Sequence, residues 1–109
     1  MNAEQFVSHW LELKAELIEA FLGESSQTEV ATQVQRMGLT PEQNGLLLRA
    51  VDGMLRDTMY TLLLGLDGAA SIGSNQQPYT ITDEEGNVIS KSGELEAEAW
   101  RQFHGGSEQ

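Results

Sequence analysis

The side chains able to do chemistry are few: two histidines, seventeen carboxylates and no cysteine. His9, Glu12 and Glu16 fall at i, i+3 and i+7 on one helical face, and His104 lies near the other end of the chain, free to approach from a last helix. Imidazole and carboxylate together suit a divalent metal. Carboxylate-bridged helical sites, however, use Glu-x-x-His on two helices, whereas here the order is His-x-x-Glu and it occurs once. A solvated polar face accounts for these residues, and no metal ligand is assigned. A nucleophile and base would have to be assembled from Ser71 or Ser74 with His9 or His104, and nothing marks either serine as activated. Gly68-Ala69-Ala70-Ser71-Ile72-Gly73 has the gap of a phosphate loop, but Ser74-Asn75 stand where Lys and Ser or Thr are needed, and Asp67 adds a repelling charge. Asp83-Glu84-Glu85-Gly86-Asn87 clusters oxygen ligands around a glycine without the alternate spacing or closing glutamate of a calcium loop. A glycosidase-like pairing among Asp67, Asp83, Glu84 and Glu85 would need a cleft, for which 109 residues leave little room. No catalytic residue and no cofactor follow from these patterns.

The carboxylates matter more as a set. Seventeen acids against six bases give a formal charge of −11, and the pI is near 4.3. That excludes the basic footprint of a nucleic-acid binder and disfavours an anionic membrane surface. Hydrophobic residues at 39% suffice for a folded core. Without cysteine, disulfides and thiolate sites are excluded. The first residues, Met1-Asn2-Ala3-Glu4-Gln5-Phe6, have no basic stretch of a signal peptide, and no apolar run approaches a membrane span. The cytoplasm is the expected compartment.

The elements that must position these residues are marked by their ends. Phe6, Trp10, Leu13, Leu17 and Phe21, widened by Val7, Leu11, Ile18 and Leu22, form an amphipathic stripe over 3–22. Asn2 and Gln5 are placed to cap it, and Gly23 to close it in a left-handed conformation. Ser26-Gln27-Thr28-Glu29 reads as a second capping box before a short helix ended by Gly38. Thr40, Pro41, Glu42 and Gln43 start a third helix running to about Leu66. Leu47, Val51, Met54, Leu55, Met59, Leu62, Leu63 and Leu66 are its expected buried face, and close helix approach is expected at Gly45 and Gly53. A loop over 67–78 follows. Tyr79-Thr80-Ile81-Thr82 and Val88-Ile89-Ser90-Lys91 alternate around a turn, which predicts a β-hairpin. Ser92 or Gly93 caps a last helix with Leu95, Ala99 and Phe103 in one stripe and Trp100 at its side. The expected class is α+β, mainly helical, in the order α-α-α-β-β-α, as a single domain over residues 1–109. Aromatic side chains are expected in the core; Trp100 becomes an interface anchor if it is exposed beside Tyr79.

The segment Met59-Tyr60-Thr61-Leu62-Leu63-Leu64-Gly65-Leu66-Asp67-Gly68-Ala69-Ala70-Ser71-Ile72-Gly73, with Asp83-Glu84-Glu85-Gly86-Asn87 and the ending from Gly93-Glu94-Leu95-Glu96 to Phe103-His104, resembles a group of small bacterial proteins of unknown function. Some of these resemble immunity partners of secreted toxins. The likeness covers residues 60–104 and leaves the first two helices unmatched; it implies a partner-binding role and transfers no catalytic residue. The first expectation is therefore a non-enzymatic acidic binding module, of immunity or inhibitor type, for a basic protein. Its partner-binding residues would be Asp67, Asp83, Glu84, Glu85, Glu94, Glu96, Glu98 and Trp100. The second is a homo-oligomeric structural protein in which the hairpin or the long helix makes a homodimer. A small hydrolase or metal-binding protein is the third.

Overall fold

The computed structural model describes residues 1–105 and contains four helices: α1 (Ala3–Leu22), α2 (Glu29–Arg36), α3 (Pro41–Leu66) and α4 (Glu94–Phe103). Their starts follow the caps. Asn2 Oδ1 accepts the Gln5 N–H (2.9 Å) while Gln5 Oε1 accepts the Asn2 N–H (3.0 Å), and Thr40 and Gln43 repeat the reciprocal pair at α3 (3.1 and 2.9 Å). At α2 the cap is Thr28, two residues later than the Ser26 box predicts. The Thr28 hydroxyl accepts the Ala31 N–H (3.1 Å) and donates to the Ala20 carbonyl (2.5 Å), as does Ser26 (2.6 Å). One hydroxyl thus closes α1 and opens α2, satisfying orphan groups at both ends. Gly23 is not left-handed; glycine is needed there because a Cβ would collide with Glu19.

The β-hairpin is absent. Among the described residues there is no strand, only isolated bridges at Asp67–Pro78, Ile72–Asn75 and Thr82–Val88. Backbone bonds from Asp83 N to Asn87 O (3.0 Å) and from Ile89 N to Ile81 O (2.8 Å) flank the last of these. The next rung is taken by a side chain: Ser90 Oγ accepts the Ile81 N–H (2.8 Å) and donates to the Tyr79 carbonyl (2.7 Å). With a hydroxyl inserted where a second backbone pair belongs, the ladder stops after one bridge. The α+β assignment is therefore corrected to a helical fold with a long irregular segment over 67–93.

The chain divides into two compact units, Met1–Leu11 with Asp57–Gln109, and Glu12–Arg56. The first holds a packed core of Ala3 and Val7 from α1, Met59 and Leu63 from α3, Ile89 from the irregular segment, and Leu95, Ala99 and Phe103 from α4. The α4 stripe is the predicted one. Glycine at 65 leaves room for Ile72, whose side chain a Cβ would strike, so the close approach falls there and not at Gly45 or Gly53, which face open space or the tip of Arg56. Polar ties complete this unit: Gln102 Nε2 donates to the Glu4 carbonyl (3.0 Å), and Ser8 Oγ donates to Gln102 Oε1 (3.0 Å).

In the second unit, Ala31 is the one fully buried hydrophobic residue among those described. Lys14 Nζ pairs with Asp52 Oδ1 at 2.9 Å. Large apolar side chains stand in water: Leu13, Val30, Met37, Leu46, Leu48 and Met54 are all exposed, and of the expected buried face of α3 only Met59 and Leu63, both in the first unit, are buried.

Candidate functional site

Burying Leu95, Ala99 and Phe103 turns Trp100 outward, and its side chain is 53% exposed. It is held in place. Its ring lies 6.3 Å from that of Tyr60 on α3 and 5.1 Å from that of His104, and Tyr60 meets His104 edge-on at 4.6 Å. The neighbour is thus Tyr60, not Tyr79. One turn before Trp100, on the same face of α4, Glu96 is also exposed. An indole fixed at its edges and open to water has the character of an interface anchor, because little rotamer freedom remains to be lost on binding. Its π face also suits a partner's lysine or arginine.

The eight predicted partner-binding residues separate into two groups. Asp67 Oδ2 accepts the Glu96 N–H at 3.0 Å, supplying at a distance the cap that Gly93, at φ 79°, lacks. Asp83 accepts from the Met1 amino group (2.9 Å), the Glu85 and Asn87 backbone N–H groups (3.0 and 2.9 Å) and Asn87 Nδ2 (3.0 Å). Those donors, the amino group first and the Asn87 side chain next, hold its carboxyl well below the ordinary carboxylate range. Glu98 binds Arg101 (2.6 Å) and Gln102 (2.9 Å), and the Arg101 hydrogen bond lowers its pKa against the opposing effect of burial. These three carboxylates hold structure together. Glu84, Glu85, Glu94, Glu96 and Trp100 are exposed.

The geometry places several of the remaining chemical candidates as well. The oxygens of Asp83 are aimed at N–H donors, the arrangement of an Asx turn and the opposite of what a cation requires. Ser71 Oγ donates to Gln76 Oε1 at 3.4 Å, and Gln76 Nε2 bonds the Gly68 carbonyl (3.1 Å), so the glycine-rich stretch folds onto itself. Among the described residues no group of three or more histidine or acidic side chains is gathered to hold a metal. No helix there is long and apolar enough to cross a membrane.

Two features escaped the sequence. Tyr60 and His104 support Trp100; the i, i+4 spacing of Trp100 and His104 was the available signal. In the Glu12–Arg56 unit, an open groove of about 510 Å³ lies between Ile18, Leu22, Val34, Leu39, Leu47 and Leu48. The run Leu46-Leu47-Leu48 was its signal, since three consecutive leucines cannot share one helical face.

No protein-family model matches the chain, and no curated protein or solved structure is significantly similar to it.

Proposed function

We propose that this protein is a non-enzymatic binding module of the cytoplasm, of immunity or inhibitor type, which meets a basic protein partner through Trp100 and the exposed acids of its first unit. The observation that carries the reading is Trp100 itself, half in water yet fixed by Tyr60 and His104. Charge supports it: the first unit holds ten acids against two bases, a net of −8 of the chain's −11. Acids around an aromatic anchor steer a basic surface and then bury it against the ring. The immunity or inhibitor type rests on the resemblance read in residues 60–104 alone, to which no match among known proteins adds support.

The test begins by capturing a partner on the immobilised protein and then compares two variants. Trp100→Ala should weaken that complex roughly thirtyfold or more, as loss of a hot spot does. Reversing Glu84, Glu85, Glu94 and Glu96 to lysine should slow association about tenfold or more at low salt and change little at high salt. A partner that binds both variants as it binds the original protein would overturn the reading.

A further inference from the structure

We infer that the groove of the Glu12–Arg56 unit is a binding site for a small organic cation, one whose bulky apolar body lies against the groove walls while Glu19 and Glu24 hold its charge. This goes beyond the binding role proposed for the other unit and does not depend on it.

The walls come from all three helical segments of the unit, and on each the contributing residues share a face. Ile18 and Leu22 stand one turn apart on α1, while Gly45, Leu47 and Leu48 fall on one side of α3, away from Leu46. Val34 of α2 and Leu39 of the linker complete the apolar lining. Apart from the exposed Leu48, these side chains are half-buried. The volume of about 510 Å³ falls among small-molecule sites, which run from roughly 300 to 1,000 Å³ and have mainly apolar walls with a few polar groups that fix orientation. Glycine at 45 supports the same reading. Inside a helix glycine is costly, and here neither backbone nor packing asks for it: its φ is not positive, and a Cβ would meet nothing within 4 Å. What the missing side chain does give is room in the groove.

Charge identifies the occupant. Glu19 and Glu24 line the groove, and no lysine, arginine or histidine does. Among the described residues neither carboxylate is in an ion pair. Glu19 is also bent back: a Cβ on Gly23 would strike its Oε1, so the carboxylate lies over the last turn of α1. That turn is the negative end of the helix and holds no basic residue, which makes it an unfavourable place for an anion and a favourable one for a cation. A positive group bound there offsets the carboxylates and the helix end together, with its apolar body against the leucines. An anion of the same shape meets repulsion from both.

Calorimetric titration of the full chain with tetraphenylphosphonium and with tetraphenylborate, ions of one shape and opposite charge, decides the matter. The expected result is saturable binding of one phosphonium per chain, with the borate at least about tenfold weaker. Glu19→Gln with Glu24→Gln, both at exposed positions, should weaken the cation about tenfold at low salt and keep the helical circular dichroism. Gly45→Met, which places a side chain in the groove, should weaken it by a similar factor or more without loss of helix. Trp100→Ala, in the other unit, should leave the binding unchanged. Absence of saturable binding, equal affinity for the two ions, full affinity in either groove variant, or loss of the site in Trp100→Ala would overturn the inference. The groove variants leave the Trp100 surface untouched, so the two proposals fail separately.

Discussion

The two units differ in what they do with hydrophobic residues and with charge. The Met1–Leu11 and Asp57–Gln109 unit buries eight hydrophobic side chains while carrying ten of the seventeen acids. The Glu12–Arg56 unit has comparable apolar material but leaves it half-buried or exposed, and balances its charge more nearly. A filled core beneath an acidic surface leaves only that surface, and whatever aromatic it displays, for recognition. The contrast teaches that charge and apolar exposure, which composition reports as whole-chain averages, are allotted here to different halves.

The comparison breaks most readily at its centre. Leu63 is fully buried in the first unit, so Leu63→Ala removes transfer energy and leaves a cavity, at a cost of about 2–5 kcal/mol. Met54, 59% exposed in the second, should respond to Met54→Ala within about 0.5 kcal/mol. Urea denaturation of both variants measures the difference. Equal losses at the two sites would mean that the second unit has a core after all.

Backbone space gives the next, smaller contrast. Gly68 ends α3 at φ +81°, and a Cβ there would lie 2.9 Å from the Pro78 nitrogen. Gly68→Ala therefore meets both the left-handed penalty and a backbone clash, and should cost about 1–3 kcal/mol. Gly45 sits inside α3, and nothing lies within 4 Å of the position its Cβ would take, so Gly45→Ala should raise stability by up to about 1 kcal/mol through helix propensity alone. Thermal melts of the pair should move in opposite directions, and a destabilised Gly45→Ala variant would show crowding where the second unit is open.

Why some of this was legible and some not follows from range. The Asn2–Gln5 and Thr40–Gln43 caps act over three residues, and the sequence displays both partners of each bond. The α4 stripe was legible because Leu95, Ala99 and Phe103 repeat at helical spacing. The hairpin failed because alternation at 79–82 and 88–91 records only which side chains face inward; it does not record that the Ser90 hydroxyl takes the second rung. For α1 and α3, periodicity says that a residue wants cover and cannot say whether the cover belongs to the same chain. Periodicity on that ground places Leu13, Leu47 and Met54 in a core, and the structure leaves all three unburied. At the candidate site, Trp100 could be placed beside the stripe, but Tyr60 comes from another helix and Asp67 caps α4 from the end of α3. Both are contacts of the fold, with no local spacing to announce them.

The acidic unit itself can be split by pH, with the smallest of the three effects. Asp83 has a folded-state pKa lowered from the ordinary 3.8 by the Met1 amino group and the Asn87 and Glu85 donors. Folding therefore favours the ionised form. The stabilisation is fully present above 3.8, where the unfolded chain is also ionised, and is lost as pH falls below it toward the lower folded value. Asp83→Asn keeps one acceptor for the turn but loses the charge facing Met1 and sets an amide N–H₂ against that of Asn87. The variant should be the less stable at neutral pH, with the gap closing as the solution is acidified through 3.8. Because the contact is at the surface, added salt should shrink the gap as well. Neutralising Glu84 on the same turn removes charge from an exposed side chain and should alter partner association without reproducing this acid-limb difference. If the two variants instead traced the same stability curve against pH, the division of the acidic unit into structural and recognition carboxylates would fall, and its −8 would be one undifferentiated surface.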